Sequence, residues 1–317
     1  MMGVSAPAVS GFDEGQSVMR QSECSADASG PAAICSGICH GTLGELLQGP
    51  VLVDGEVQIG IVSLPVQRYS SMHFLAGAAS AHAQDLPDKE KCRRAIALYL
   101  DIYGDRLPGG RWLHDSELLQ GKGMASSTAD IVASIRCLDR LFGRASPVEC
   151  IAAILRQIER SDSVFLDHYA LYLSARQQVL QRFDHDPQFH VCYIDEGEAV
   201  PTEAVTPQLL AHYRRHLHAY QANLDQALAA FARADRAEIA RCASVSAALA
   251  QGVLPKRHYD AVAARRAQFG AAGIVVAHTG SLLGYLFLQA PRSEVMGQLA
   301  AFFRSLGHQC RFAQTGF

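Results

Sequence analysis

One segment constrains this chain more than any other: Gln120-Gly121-Lys122-Gly123-Met124-Ala125-Ser126-Ser127-Thr128-Ala129-Asp130. A glycine-rich turn there passes directly into a hydroxyl-rich helix start. Such a turn leaves several backbone N–H groups pointing one way, and the first helical turn adds partial positive charge at the same place. The combination suits an anion such as a phosphate, with a purely structural turn as the alternative. Ile131, Ile135, Leu138 and Phe142 recur at helical spacing and predict one apolar face, with Gly143 as terminator. Ser127 followed three residues later by Asp130 predicts a capping box, with Asp in place of Glu or Gln. The segment is not the common phosphate loop, which would need glycine at Ser116 and a hydroxyl at Gly123. Nor is it a dinucleotide fingerprint, because no third glycine stands at Ser126.

Composition narrows the rest. A chain of 317 residues holds two domains or one large one. Hydrophobic residues at 49% and charged residues at 19% fit a packed protein, and a net charge of −3 offers no basic excess for nucleic acid or an anionic membrane. No apolar run approaches the roughly 18 residues of a membrane span. The N-terminus lacks the basic start and apolar core of a secretory signal. The expectation is a cytoplasmic protein with no nucleic-acid or membrane partner; a homodimer is left open. The nine cysteines include no C-x-x-C pair and read as small core groups of a reduced protein. Cys35 and Cys39 lack a second pair at ligand spacing, which argues against a metal.

Along the chain, residues 1–33 are rich in Ser, Gly, Ala and Pro and read as a mobile tail. Asp54-Gly55 marks a hairpin between Val51–Val53 and Gln58–Leu64. Tyr69–Phe74 is strand-like. Helix is expected over Lys91–Tyr103, Pro147–Glu159, Pro207–Ala230, Arg236–Gln251, Pro255–Phe269 and Val295–Leu306. Strands are expected at Trp112–His114, His190–Ile194 and Gln309–Ala313. A further hairpin is expected between Gly273–Ala277 and Leu283–Leu288. Phe165–Tyr172 has mixed periodicity and takes no assignment. Strands alternate with helices in both halves, so the class is α+β. The boundary falls between Asp184 and Glu203.

Three segments together resemble the GHMP kinase superfamily (galactokinase, homoserine kinase, mevalonate kinase and phosphomevalonate kinase). Gly121 to Ala129 is similar to that family's phosphate-binding motif. Gly41-Thr42-Leu43-Gly44-Glu45-Leu46-Leu47-Gln48-Gly49 resembles its N-terminal motif, and Ala277-His278-Thr279-Gly280-Ser281-Leu282-Leu283-Gly284 its C-terminal one. The likeness covers about residues 34 to 317. It implies a two-domain fold: an N-terminal mixed α/β, ATP-binding domain over 34–190 and a C-terminal ferredoxin-like domain over 191–317. The forms G-T-x-G-E-L-x-Q-G and G-K-G-M-A-S-S-T-A-D are similar to the L-threonine kinase branch of cobalamin biosynthesis. That implies O-phospho-L-threonine as product, with another small hydroxylated amine or amino acid as the alternative acceptor. A non-catalytic nucleotide-binding protein on the same scaffold is the other reading. The chain departs from many members at His40-Gly41-Thr42, where they carry Pro-Gly-Lys.

Phosphoryl transfer asks for screened phosphate charge, a bridging Mg²⁺ and an aligned acceptor. The resemblance implies ATP held by Gly121, Lys122, Gly123, Met124, Ala125, Ser126 and Ser127. Lys122 supplies charge in place of the missing lysine; a solvated surface lysine is the alternative. Ser127 and Glu159 would hold Mg²⁺, although Ser127 also suits a simple helix cap. Ile158-Glu159-Arg160-Ser161-Asp162-Ser163 is similar to an Ile-Glu-Pro-Ser-Asp-Ser segment in threonine kinases, with Arg160 at the proline position. Asp162 would be the base or acceptor orienter; an ordinary charged helix end is the alternative. Asp167 and His168 are reserves for acid–base work. Glu45 would meet the substrate's ammonium, with Gln48, His278, Thr279 and Gly280 nearby. Acyl transfer through Cys39 or Ser126 has little support, since no G-x-S-x-G elbow is present.

Overall fold

The computed structural model describes residues 34–77, 86–197 and 202–317. The expected tail, 1–33, lies outside the described residues. The chain opens with two long strands, β1 (Ile34–Val53) and β2 (Glu56–Ala76), joined at Asp54-Gly55. Both turn residues have positive φ, 53° and 78°, as a tight hairpin requires. The strands run far beyond the short apolar runs legible in sequence. Gly, Ser, Cys and His in 34–49 hide the strand from a hydrophobicity reading, but their backbone groups complete the ladder equally well.

Next come α1 (Glu90–Tyr103), β3 (Gly110–Ser116), α2 (Ser126–Leu141) and α3 (Val148–Arg156). α2 packs on β1 and β2 and is buried on nearly every side, not on one face as its periodicity predicts. Its buried Asp139 is satisfied by Tyr99 Oη (2.9 Å) and by Ser146 N and Oγ (2.9 and 2.7 Å). Gly143, at φ 64°, ends the helix as expected, and Arg144 N returns to Asp139 O (2.8 Å). β4 (Ala170–Leu173) falls in the stretch that took no assignment. All four of its residues are buried, so no alternation marks it. β5 (Gln178–Arg182) was not foreseen.

The second half runs β6 (His190–Asp195), α4 (Thr202–Arg215), α5 (Leu217–Ala232), α6 (Arg236–Ala250) and α7 (Tyr259–Arg265). It closes with β7 (Gly273–Val276), β8 (Leu282–Phe287), α8 (Ser293–Ser305) and β9 (Arg311–Gln314). The single helix expected over 207–230 is two helices that break at His216. Alanine-rich composition favours helix throughout and carries no signal for the break.

The nine strands among the described residues form one antiparallel sheet ordered β5-β4-β2-β1-β7-β8-β6-β9, with β3 also on β2. The terminal four strands, β9-β6-β8-β7, with helices after β6 and β8, have the β-α-β-β-α-β ferredoxin-like arrangement. β1 meets β7 at a single pair, Glu45 with Val276. Ala32–Phe317 form one compact unit. No helix among the described residues is long and apolar enough to cross a membrane.

Candidate functional site

β1 does not keep regular pairing where its sequence reads Gly41 to Leu47. The register shifts between His40 and Gly41, between Thr42 and Glu45, and between Glu45 and Leu47. These bulges turn the strand's amides toward the glycine-rich turn. Thr42 N donates to Met124 O and Gly44 N to Gly123 O, both at 3.0 Å. From the other side, Ser281 N donates to Lys122 O (3.0 Å). Three segments far apart in sequence are thereby laced together through backbone. Glycine is needed at the contact. Gly123 sits at φ 95°, where a Cβ would stand 2.2 Å from Ala277 Cβ; at Gly280 a Cβ would stand 2.4 Å from Lys122 O.

The helix start differs from the expected capping box. Ala125, at φ 52°, is the N-cap of α2, and no side chain caps it. Ser127 Oγ and Thr128 Oγ1 instead donate to the two oxygens of Glu159, each at 2.8 Å. Asp130, nearly buried at the wall of a cavity, accepts from Ser70 Oγ (2.5 Å), Lys89 Nζ (2.7 Å) and His114 Nε2 (2.9 Å). Burial pushes the Asp130 carboxyl up, but the bonds from His114, Lys89 and Ser70 outweigh it and hold it below the usual range. A carboxylate from the segment after α3 has taken the hydroxyls that local spacing assigns to a cap.

Two cavities meet at this point. The first, about 340 Å³, is lined by Asp88, Lys89, Glu90, Lys91, Cys92, Gln120, Gly121, Ser126, Ser127 and Asp130. The second, about 300 Å³, is lined by Glu45, Gln48, Lys91, Glu159, Arg160, Asp162 and Thr279, among others. Lys91 lines both and its ammonium pairs with Glu159. A cleft of about 520 Å³ adjoins the second cavity, sharing Arg160 with it, and one of about 560 Å³ opens elsewhere; each has a single lining carboxylate and neither touches the glycine-rich turn.

Of the expected phosphate-binding set, Gly121, Ser126 and Ser127 line the first cavity. The others have structural positions. Met124 is a core side chain, 1% exposed, and Gly123 and Ala125 shape the turn. Lys122 is directed elsewhere: its ammonium donates to Gly197 O (2.9 Å) and lies 3.6 Å from Asp195 Oδ2. Lys89 and Lys91 bring cations to the cavity instead, and the sequence reading missed them. A signal did exist. Lysines at a helix N-terminus work against the dipole, so two of them at the start of α1 call for carboxylate partners, here Asp130 and Glu159.

In the second cavity Asp162 accepts from Ser63 Oγ (3.1 Å). Burial, then the nearby Glu45 charge, pushes its carboxyl up to about 7. Glu45 accepts from His278 Nδ1 (2.8 Å) and His278 N (3.0 Å). His278 is thus a buried orienter of Glu45 and does not line the cavity, while Thr279 does. Gln48 lines the cavity and donates to Tyr213 Oη (3.0 Å). Gly280 belongs to the backbone contact with the turn. Lys256 Nζ holds that loop by His278 O (3.0 Å) and Gly280 O (2.5 Å), and burial pushes its ammonium down to about 8.

Ser127 Oγ and Glu159 present hard oxygen donors at the mouth of a helix N-terminus. That set suits Mg²⁺, which takes one or two carboxylates and completes its shell with phosphate and water. The Lys91 ammonium on the same carboxylate shows that the spot accepts a cation. Asp167 and His168 pair with each other near the surface (2.8 Å), away from both cavities. Cys39 donates to Val164 O (3.3 Å), and burial pushes its thiol up to about 12, which removes it as a nucleophile.

The family model described as GHMP kinases N terminal domain matches residues 90–174, the span that carries Lys91, the glycine-rich turn, Ser127, Glu159 and Asp162. The solved mevalonate kinase of Methanococcus jannaschii shares the fold at a TM-score of 0.66, with 12% identity over 91% of this chain and 99% of that one. Residues 90–174 thus match a GHMP kinase N-terminal domain, and the chain as a whole has the GHMP kinase fold. Among curated relatives, the chain is similar to an L-threonine kinase of Citrobacter freundii, at 27% identity over 81% of this chain and 87% of the relative. An L-threonine kinase of Salmonella typhimurium (strain LT2) is 24% identical over 81% of this chain and 84% of the relative. The matched domain is that of ATP-dependent small-molecule kinases.

Proposed function

We propose that this GHMP kinase transfers the terminal phosphoryl group of ATP to the hydroxyl of a small amino acid, L-threonine first, giving O-phospho-L-threonine. The observation that carries this reading is the Ser127–Glu159 contact at the start of α2, beside the Asp162 cavity. The names of the two curated relatives support the choice of acceptor. The notional division into an ATP-binding part, 34–190, and a second part, 191–317, fits this reading, since Glu45 and Thr279 reach one cavity from either side of it.

In this mechanism Gly121, Ser126 and Ser127 hold the phosphates with the backbone amides of the turn and the positive end of α2. Lys89 and Lys91 add charge along the same wall. Ser127 and Glu159 would hold Mg²⁺, which when bound would supply charge neutralisation for the phosphates. Glu45, held by His278, takes the acceptor's ammonium. Asp162 accepts the proton of the acceptor hydroxyl as its oxygen bonds to the terminal phosphorus; the bond to the β-phosphate oxygen breaks and ADP leaves. A base with an affinity near pH 7 suits that transfer.

The test is an acceptor panel with ATP and Mg²⁺: L-threonine, L-serine, L-homoserine and 1-amino-2-propanol, read by ADP release and product mass. The expected result is the highest kcat/KM for L-threonine. Thermal stabilisation by ATP with no ADP from any acceptor would leave a nucleotide-binding protein and end the kinase reading.

A further inference from the structure

We propose that Arg160 reads the acceptor's carboxylate, so that the second cavity selects a zwitterionic hydroxy amino acid over an amine that lacks the acid group. The inference rests on the kinase reading above and names the feature by which its acceptor is chosen.

Arg160 follows Glu159 directly in the segment after α3. Its Nη2 donates to Ser174 Oγ (2.9 Å) and its Nη1 to Thr206 Oγ1 (3.1 Å). The two hydroxyls come from different parts of the chain, the end of β4 and helix α4, so they hold the guanidinium plane from two directions. The backbone beneath it is held as well. Gln177 Nε2 donates to Glu159 O (3.0 Å), and Ser161 N donates to Ser174 O (3.4 Å). A cation fixed this way at a cavity wall is pre-organised and loses little freedom when it binds.

The charges that line the cavity divide by partner. Lys91 pairs with Glu159, the carboxylate assigned to the metal. Glu45 and Asp162 form an acidic side, and their mutual repulsion is relieved by an ammonium. Arg160, at the wall between this cavity and the 520 Å³ cleft and near enough for its charge to act on Asp162, gives the cavity its basic side. A guanidinium fork matches a planar carboxylate by two parallel N–H···O bonds. An α-amino acid presents both poles a few ångströms apart. An amino alcohol presents only the ammonium.

The experiment measures kcat and KM with Mg·ATP for L-threonine, L-threoninamide and 1-amino-2-propanol. In the native protein the amide, which keeps the ammonium and hydroxyl but loses the acid charge, should show a KM at least about 10-fold above L-threonine. Arg160→Gln should raise the L-threonine KM by about 10- to 100-fold, change the threoninamide KM by less than about twofold, and leave kcat for both near native. Arg160→Lys, which keeps charge without the fork, should recover part of the loss. Equal KM values for acid and amide in the native protein overturn the assignment, as does an Arg160→Gln variant that weakens both acceptors alike. If Arg160→Gln fails to fold, the acid–amide comparison in the native protein decides by itself. Turnover of L-threonine with no preference for the acid ends the Arg160 inference alone; absence of turnover with every acceptor ends the kinase reading and this inference with it.

Discussion

Asp162→Asn should make the protein more stable and nearly inactive, and the stability gain should depend on pH. Asp162 is the carboxylate whose environment most opposes its charge: burial and Glu45 lift it from the usual 3.8 to about 7. A difference of about three pH units, at about 1.36 kcal/mol each, sets a ceiling of about 4 kcal/mol on the cost of ionising it in the folded state. Water in the cavity screens part of that, and about 2 kcal/mol is the working figure. The sign follows from which state releases its proton first. Between about pH 4 and 7 the unfolded chain has lost the proton and the folded protein retains it. Native stability therefore falls through that window on account of this group and is lowest, from this cause, above pH 7. Asn removes the cost and still accepts from Ser63. The variant's advantage should be small at pH 5 and full at pH 8, a rise in Tm of about 3 °C for a chain of this size. Turnover should drop by about 10²- to 10⁴-fold while ATP binding stays near native. Paired thermal melts at pH 5 and pH 8, with an ADP-release assay, test both parts. An advantage that is absent at pH 8, or equal at both pH values, refutes the electrostatic argument; full activity removes Asp162 from proton transfer.

Glu159→Gln should lower kcat by at least about 100-fold and shift the Mg²⁺ dependence of turnover to higher concentration, because a charged oxygen donor beside Ser127 is lost; an unchanged Mg²⁺ titration counts against the metal assignment. Gly123→Ala should destabilise by about 2–4 kcal/mol, since its φ of 95° strains alanine and its Cβ would meet Ala277; a thermal melt within a degree of native would show that the three-segment contact yields easily. Lys122→Ala should leave the KM for ATP within about threefold of native, because its ammonium is held by Gly197 and Asp195. Lys91→Ala should raise the same KM by about 10-fold. Steady-state kinetics with the order of the two lysines reversed would return Lys122 to the phosphates.

The sequence by itself determined the α+β class, the hairpin at Asp54-Gly55, the glycine-rich turn before α2 and its end at Gly143. These are short-range properties: turn chemistry, helical spacing and left-handed backbone angles are written in adjacent residues. Motif likeness also named Ser127, Glu159 and Asp162 together, and the fold brings them to adjoining cavities. Tertiary structure decided which neighbours each polar group would find. Ser127 lies on Glu159 and not on a cap, Asp130 on Lys89 and His114, and Lys122 on Gly197, because partners 16 to 75 residues away outcompeted local ones. The lengths of β1 and β2 were likewise hidden, since pairing satisfies backbone groups whatever side chains they carry. Spacing along a chain specifies where a charge can point; only packing specifies which opposite charge is waiting there, and in a low-dielectric interior that choice sets the chemistry.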